Sequence, residues 1–310
     1  MATVGIVVRT KDRPHFLARA LRSITAQTYG DWHAFVVNDG GDPAAVAGVV
    51  GDLAAADRAR VTVLDHPASL GRWPSANAGV RAATGSGASY LVLHDDDDTW
   101  APTFLERAAA HLDAHPLAPG VVARIEIVWE ESDRAAAHGY RETGRELFQG
   151  HLTDPLLGDT LLFNRFVPIG FLYRREVHDE IGPYDESLSV VGDWAFNLKI
   201  LAKWSLEYLD GGPLAFWHQR PNTTGVDGNS VISAGVDHEK YDALVRDAAL
   251  RSYVGEHGLG LVLYLTKFID RRFVEVEEGL RRDIYSGESG VVAYRRLRES
   301  ALRRLPWRRR

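Results

Sequence analysis

Short apolar runs rich in β-branched residues alternate with longer segments of helical spacing through the first half of the chain. The runs lie at residues 4–8, 33–37, 61–64 and 90–93. After Pro14, apolar residues recur at intervals of three and four, which is typical of a helix that begins with proline. This alternation predicts an α/β fold in which helices flank a mostly parallel sheet.

Beyond residue 100 the pattern predicts a less regular series of elements: a helix at about 102–115, strand-like runs at 121–129, 169–173 and 213–217, and a helix at about 193–203. The polar stretch at 130–150 is interpreted as an inserted hairpin or a lid. From residue 236 onward the spacing is largely helical.

These patterns predict one domain at residues 1–232 and a helical C-terminal extension with a basic tail at 233–310. Within the domain, we expect a nucleotide-binding half at about 1–115 and an acceptor half at about 116–232. A chain of 310 residues with 45% hydrophobic content can bury a full core, which agrees with one large domain.

Charge and cysteine content exclude several classes of function. The 36 basic and 42 acidic residues give a net charge of −6, so we expect no nucleic-acid partner. The absence of cysteine excludes disulfides, thiolate metal sites and thiol nucleophiles. The first residues lack the pattern of a signal peptide, and the apolar stretch at 259–265 is far shorter than the roughly 20 residues of a membrane-spanning helix. We therefore expect a cytoplasmic protein.

Four consecutive aspartates at 95–98 directly follow the fourth apolar run. In open α/β sheets, ligands bind at the carboxyl ends of the strands. Adjacent carboxylates repel one another, and their hard oxygens suit Mg²⁺, Mn²⁺ or Ca²⁺ while leaving coordination positions for phosphate oxygens. The pattern thus favours a metal-diphosphate site. The alternative is a solvated acidic loop that caps the following helix.

Several segments resemble family-2 inverting glycosyltransferases of the GT-A fold. These segments share their order and spacing with that family across residues 4–220, and they lie at 8–14, 27–29, 36–41, 77–79 and 93–102. The resemblance implies a Rossmann-like, nucleotide-sugar-binding fold. It also implies metal-dependent transfer of a hexose from a nucleotide-diphosphate sugar to an acceptor hydroxyl, in the synthesis of a polysaccharide, a glycolipid or a glycosylated metabolite.

The resemblance also assigns roles to residues of the donor site. It implies that Thr10 and Asp39 hold the nucleotide base, and that Asp95 and Asp96 face the ribose and the metal. It makes Asp97 the principal ligand of a Mn²⁺ or Mg²⁺ ion, with Asp95 beside it.

Three further residues are predicted to bind the donor. The resemblance places Arg72 near the diphosphate and Asn77 in a family motif just after the same loop. Arg13 follows the first strand at the sheet edge that also holds Asp39 and Asp95, where contact with phosphate is expected.

Asp193 is predicted to be the catalytic base, because it precedes Trp194 at a helix start that resembles the family segment. A carboxylate there can take the proton of the acceptor hydroxyl. The alternative is an N-cap, although Phe196 leaves no capping box. His218 is predicted to complete the metal sphere, and the alternative is a hydrogen-bonded structural histidine.

The C-terminal stretch at 291–310 contains eight arginines against the single acid Glu299, with apolar residues between them. Such a segment can lie on an anionic membrane surface, which predicts peripheral contact with the inner face of the membrane. The alternatives are a solvated tail or docking on a second subunit, so a homodimer stays open.

The sequence leaves open a saccharide, a lipid-linked or a small-molecule acceptor. Two other functions compete with the transferase. A sugar nucleotidyltransferase would also pair aspartates with magnesium, but the loop after the first strand has no glycine. A non-catalytic nucleotide- or carbohydrate-binding module would keep the acidic loop, and Asp193 argues against it.

Overall fold

The computed structural model describes residues 3–133, 135–136, 138–229, 235–285 and 294–298. The chain divides into two compact units, Met1–Ala243 and Leu244–Arg310. The predicted boundary at 232/233 and the predicted halves of the domain stay predictions. Much of the basic tail at 291–310 lies outside the described residues.

Strands and helices alternate through the first unit. The strands are β1 (Val4–Thr10), β2 (Trp32–Asp39), β3 (Val61–His66), β4 (Tyr90–Asp95), β5 (Thr99–Trp100), β6 (Gly120–Val122), β7 (Ile125–Ser132), β8 (Tyr140–Leu147), β9 (Phe171–Arg174) and β10 (Ala215–Gln219). The helices are α1 (Pro14–Thr25), α2 (Pro43–Gly51), α3 (Ala55–Arg58), α4 (Arg72–Gly85), α5 (Phe104–Ala114), α6 (Leu157–Thr160), α7 (Val177–Ile181) and α8 (Gly192–Lys203).

Further helical segments follow among the described residues. Short 3-10 helices occupy Pro168–Gly170 and Gly225–Asp227. The boundary between the units falls within α9 (Gly235–His257), and α10 (Gly260–Tyr285) lies in the second unit. Among the described residues, no helix combines the length and the apolar character needed to cross a lipid bilayer.

Six strands form the larger sheet in the order β3-β2-β1-β4-β9-β6. The first four are parallel, whereas β9 runs antiparallel to both β4 and β6. The four apolar runs predicted as parallel strands are therefore confirmed. Register aligns Thr10 with Asn38 and Arg9 with Asp95, so the polar ends of β1, β2 and β4 meet at one edge of the sheet.

A second sheet has four strands in the order β5-β10-β7-β8. Strand β10 pairs in parallel with β7 and antiparallel with β5. Strand β5 begins at Thr99, immediately after the aspartate cluster. The short β5 thus places the second sheet beside the carboxyl end of β4. The stretch interpreted as a hairpin or a lid is the β7–β8 hairpin.

The run at 121–129, which the pattern predicts as one strand, is divided between the two sheets. Residues 120–122 pair with β9 in the larger sheet, and β7 begins at Ile125 in the smaller one. Ala123 donates its amide to the carbonyl of Gly170 at 2.8 Å between the two segments. A continuous apolar run conceals this change of sheet, because strands in both sheets bury apolar residues.

Packing of α4 against the larger sheet depends on a glycine. A Cβ built at Gly79 would overlap Cγ1 of Val7 on β1 and lie 3.2 Å from Cγ2 of Val37 on β2. The glycine therefore sets how closely the helix approaches the sheet that ends in the polar edge.

We expect Gly79→Ala to lower the free energy of unfolding by about 1–3 kcal/mol, because overpacking a buried contact forces neighbours to move. Gly85→Ala in the same helix is the matched control, since a Cβ there meets no atom within 4 Å. It is expected to be neutral or to stabilise by up to about 1 kcal/mol. Urea unfolding of both variants checks this, and equal midpoints would contradict the packing argument.

Candidate functional site

A cleft of about 610 Å³ opens at the carboxyl ends of β1, β2 and β4. We call it the main cleft. Six of the predicted site residues line it: Thr10, Arg13, Asp39, Arg72, Asp95 and Asp97. Residues from the smaller sheet and the loop after it close the other side: Trp217, Gln219 and Asn229.

Aspartates 95 and 96 are each paired with an arginine of the protein. Arg9, at the end of β1, donates from Nε to Asp95 Oδ1 at 3.1 Å and also contacts it through Nη2. Arg13, just before α1, donates from Nε to Asp96 Oδ2 at 3.2 Å and bonds Oδ1 through Nη2. Asp96 is fully buried, whereas Asp95 is partly exposed to the cleft.

Asp97 is held by residues from the far side of the cleft. Its Oδ2 accepts from Nη2 of Arg220, which is fully buried, and lies 3.4 Å from both Arg13 Nη1 and Asn229 Nδ2. Burial opposes ionisation of this carboxyl, but Arg13 and Arg220 outweigh it and lower the pKa of Asp97 to about 2. Asp97 is therefore a carboxylate that the protein itself neutralises.

A buried glutamate on the hairpin completes the network. Glu130 accepts from Arg19 Nη1 at 2.5 Å, from Arg220 Nη1 at 3.1 Å and from His218 Nδ1 at 2.8 Å. Burial raises the pKa of this carboxyl, but His218 and Arg19 more than offset the effect and bring it to about 2. Arg220 thus bridges Asp97 of the larger sheet's edge and Glu130 of the second sheet.

The fourth aspartate differs from the other three. Asp98 is buried and accepts the backbone amide of His218 at 3.0 Å. Burial, together with the charges of Asp97 and Asp95, raises its pKa well above the ordinary value. Asp98 therefore acts as a buried hydrogen-bonding group that joins β10 to the cluster.

Asp39 anchors the loop in front of α4. Its carboxylate accepts from Ser69 Oγ and the Leu70 amide, both at 2.7 Å, and from the Gly71 amide at 3.1 Å. Burial raises the pKa of Asp39, but these bonds and that of His66 outweigh it, so the pKa lies below the ordinary value. Asp39 lines the main cleft while it also fixes the loop that carries Arg72.

The Arg72 side chain has no hydrogen bond or ion pair with any residue that the structure describes. It lies at the first residue of α4 and lines the main cleft beside Arg9, Lys11 and Arg13. Arg9 and Arg13 are already paired with carboxylates, as described above. Arg72 therefore makes no direct ion pair with a described residue, although the charges of Asp95 and Asp193 attract it, and a guanidinium in this position suits binding of a phosphate group.

Two predicted donor residues do not reach the main cleft. Asn77 is buried, and its amide nitrogen donates to the Tyr184 carbonyl at 2.9 Å and to Glu186 at 2.8 Å, while its oxygen accepts the Tyr184 amide at 3.0 Å. Asp96 lies beneath the cleft, where Thr10 and Arg13 bond to it. Asn77 thus holds the segment near 184, and Asp96 orients Arg13.

His218 lies on the opposite face of β10 from the cleft. The strand extends to Gln219, so Trp217 and Gln219 line the cleft and the side chain between them points away. The second ring nitrogen of His218, Nε2, lies 2.8 Å from Thr99 Oγ1, so both ring nitrogens have partners. This is the arrangement of the structural histidine that the sequence left as the alternative.

The predicted ligands therefore do not form a three-residue metal site. No group of three acidic or histidine side chains that could share a metal ion occurs among the described residues. Asp95 is paired with Arg9, Asp97 with Arg13 and Arg220, and His218 faces the other way. In this arrangement the residues do not fit a cation held jointly by those three side chains.

Asp193 lies at the second position of α8, within the first turn and after a strained residue. Val191 precedes the helix at φ 56°, a conformation that a β-branched residue rarely adopts. Asp193 Oδ2 accepts from Asn164 Nδ2 at 2.8 Å. Burial raises the pKa of Asp193, opposed by the Trp194 amide and by Arg9. The N-cap position belongs to Val191, so the alternative of an N-cap aspartate is wrong.

Asp193 lines two further cavities. A narrow one of about 90 Å³, which we call the junction, includes Asp193 together with Arg9, Arg72 and Asp95 of the main cleft. A larger one of about 550 Å³, which we call the second cavity, is also lined by Asp193. The carboxylate thus stands between the main cleft and another cavity.

Sequence reasoning missed four charged residues of the network: Arg9, Arg19, Glu130 and Arg220. The pair of Arg9 and Asp95 leaves a signal, because both residues end adjacent parallel strands. Arg220 and Glu130 are 90 residues apart and no periodicity connects them. Such a contact follows only from the arrangement of the two sheets.

Comparison with known proteins identifies the family. The model of glycosyl transferase family 2 matches residues 5–182, which is more than half of the chain. The chain belongs to glycosyl transferase family 2. This glycosyltransferase is 31% identical over 196 residues to an uncharacterised glycosyltransferase, YwdF, of Bacillus subtilis, covering 63% of this chain and 67% of the relative.

Another curated relative and two solved structures are also similar to this chain. A PGL/p-HBAD biosynthesis glycosyltransferase of Mycobacterium tuberculosis is 26% identical over 196 residues, which cover 63% of this chain and 68% of the relative. S. aureus TarS 1–349 in complex with UDP-GlcNAc superposes with a TM-score of 0.54 at 17% identity, over 84% of this chain and 76% of that one. The complex of the same protein with UDP gives 0.53 at 17% identity, over 71% and 61%. The GT-A fold implied by the sequence is confirmed.

We expect Arg220→Met to lower the free energy of unfolding by about 3–5 kcal/mol, because it leaves Asp97 and Glu130 buried with less compensating charge. Arg145→Met is the control, since Arg145 pairs with Glu142 and Glu126 at the exposed surface and such pairs contribute about 1 kcal/mol or less. Denaturant unfolding of both variants checks this. Equal loss of stability in the two would show that the buried network is not the stronger one.

Proposed function

We propose that this glycosyltransferase moves a hexose from a uridine diphosphate sugar to an acceptor hydroxyl in one displacement that inverts the anomeric configuration. The observation that carries the proposal is the place of Asp193 in the junction, with the arginine-lined main cleft on one side and the second cavity on the other. A base between an anionic donor and an acceptor is what a single displacement requires.

The main cleft suits the diphosphate of the donor. Arg72 offers a guanidinium without a direct ion pair to a described residue, and Lys11 and Arg13 line the same cleft. Charge that develops on the departing diphosphate is stabilised by such fixed cations. The TarS structures with UDP and UDP-GlcNAc share this fold and support a uridine nucleotide for this chain.

Thr10 and Asp39 are proposed to contact the nucleobase of the donor. Both line the main cleft at the ends of β1 and β2. The carboxylate of Asp39 is ionised at neutral pH, since its pKa lies below the ordinary value, and it can accept the imide proton of uracil. In this role it would exchange part of its contact with the loop at Ser69 for contact with the base.

Asp193 is proposed to take the proton of the acceptor hydroxyl. Its raised pKa makes its carboxylate a stronger base than that of an exposed aspartate. Asn164 holds one carboxylate oxygen and fixes its direction. The acceptor oxygen would then attack the anomeric carbon as the bond to the diphosphate breaks.

The Mn²⁺ or Mg²⁺ ion predicted from the sequence enters no step of this proposal. Arg13 and Arg220 already neutralise Asp97, and His218 faces away from the cleft. We assign the charge for the leaving group to Arg72 and Lys11 instead. The predicted cytoplasmic location, contact with the membrane and homodimer remain proposals that rest on the sequence.

UDP is expected to raise the melting temperature more than GDP, TDP or CDP, and to do so in EDTA as well as in Mn²⁺. Arg72→Gln should reduce the shift, because it removes the unpaired cation. Arg81→Gln, an exposed position on the same helix, is the control. A shift that appears only with Mn²⁺ would restore Asp97 as a metal ligand, and no shift with any nucleotide would refute the donor site.

Asp193→Asn is expected to slow release of UDP from UDP-hexoses by about 10²–10⁴-fold, because it removes the general base. The shift produced by UDP should be unchanged. In the wild type, the rate should rise with pH through a pKa above the ordinary value of about 3.9 for aspartate. Asp179→Asn on the exposed face of α7 is the control, and equal rates in both variants would remove Asp193 from the chemistry.

A further inference from the structure

The second cavity is apolar along most of its wall. Six apolar or aromatic residues line it: Phe148, Phe163, Val167, Val191, Trp194 and Trp217. Its volume of about 550 Å³ is within the range of small-molecule sites. A space of this kind favours burial of a ring over burial of a solvated polar chain.

Aromatic rings of this cavity are held in fixed positions. Trp194 donates from Nε1 to the Thr160 carbonyl at 2.7 Å, and Phe148 meets Trp217 edge to face with ring centroids 5.4 Å apart. Phe163 is 46% exposed, and the guanidinium carbon of Arg165 lies 3.6 Å from the centre of its ring. The rings are thus arranged before any ligand enters.

Arg165 supports Phe163 from outside the cavity. Its Nε donates to the Asp159 carbonyl at 2.8 Å and its Nη1 to Gln149 Oε1 at 2.9 Å. The guanidinium is buried and has these protein partners, so it fixes the ring of Phe163 and is not among the residues that line the cavity.

The second cavity and the main cleft differ in their charged residues. The described lining of the second cavity contains the carboxylates of Asp193, Glu239 and Asp242 and the imidazole of His238, and neither arginine nor lysine. The main cleft is lined by basic and acidic side chains in equal number: Arg9, Lys11, Arg13, Arg72, Asp12, Asp39, Asp95 and Asp97. A phosphate can therefore meet arginine or lysine in the main cleft, whereas the carboxylates of the second cavity disfavour it.

The apolar wall reaches the predicted base. Val167, Val191 and Trp217 line both the second cavity and the junction, which Asp193 also lines. A group bound against this wall therefore lies next to the hydroxyl from which Asp193 takes its proton. Such a group would therefore be part of the acceptor.

We propose that the second cavity binds an uncharged aromatic group of the acceptor, carried next to the hydroxyl that receives the sugar. The inference rests on the proposed function, because it takes Asp193 as the base. It assigns to the enzyme a neutral aryl-bearing acceptor, such as an aryl glycoside or an aryl alcohol. An acceptor joined to its carrier through phosphate close to the reacting hydroxyl does not suit these walls.

Saturation-transfer NMR with saturating UDP tests the class of acceptor with three probes: phenyl β-D-glucopyranoside, methyl β-D-glucopyranoside and phenyl phosphate. We expect the phenyl glucoside to bind at least about tenfold more tightly than the methyl glucoside, because the phenyl ring is removed from water. Phenyl phosphate should bind more weakly than the phenyl glucoside. Equal affinity of the two glucosides, or tightest binding of phenyl phosphate, would overturn the inference.

Variants of residues in the second cavity test whether the phenyl ring binds there. Phe163→Ala should reduce affinity for the phenyl glucoside about tenfold and leave that for the methyl glucoside unchanged. Phe273→Ala, at an aromatic residue of α10 that is 71% exposed and lines neither cavity, is the control. Glu239 is exposed, and Glu239→Gln should increase binding of phenyl phosphate because it removes a negative charge from the cavity. Failure of Phe163→Ala to change phenyl glucoside binding would overturn the site.

Failure of this inference can be told apart from failure of the proposed function. The thermal shift with UDP reports on the main cleft and does not depend on the acceptor. A normal UDP shift with no preference for the phenyl probe would leave the donor site standing and overturn the acceptor class. Loss of the UDP shift in the wild type would overturn the proposed function itself.

Discussion

Burial of consecutive carboxylates at the end of β4 is the constraint on which the rest of this site depends. Asp96, Asp97 and Asp98 are all buried, and unpaired charges cannot be buried at such density. The compensating groups are Arg13 at the start of α1 and Arg220 after β10. Because Arg220 also binds Glu130, the same ion pairs that neutralise the cluster hold the smaller sheet against the edge of the larger one.

This compensation changes what the acidic cluster can do. In the sequence alone, four consecutive aspartates have a charge of −4, which favours binding of a metal ion. In the fold, arginines meet three of them, and burial favours the neutral form of Asp98. Arg72 and Lys11 on the wall of the main cleft form no ion pair with a described residue, so they are the cations that a ligand can meet there.

Local patterns predicted the parallel strands and the position of the aspartates, because side-chain periodicity and strand order are properties of short segments. They did not predict that β10 continues to Gln219, which puts His218 inside the strand, on the face opposite Trp217 and Gln219. Asn77 shows a different limit. A family motif places it correctly in the chain, but its amide joins α4 to Tyr184. Contacts such as Arg220 with Glu130 depend on the meeting of two sheets, and no single segment encodes them.

Two spaces of opposite electrostatic character meet at Asp193. The main cleft, with the cations Arg72 and Lys11 on its wall, favours the diphosphate, and the apolar, acid-rimmed cavity disfavours a second phosphate, so each substrate has one space that suits it. The same apolar surroundings that exclude a charged acceptor also raise the pKa of Asp193. Selection of the acceptor and activation of its hydroxyl therefore have a common physical origin in the burial around α8. The strained backbone at Val191 lies in that wall, where the surrounding packing must hold it.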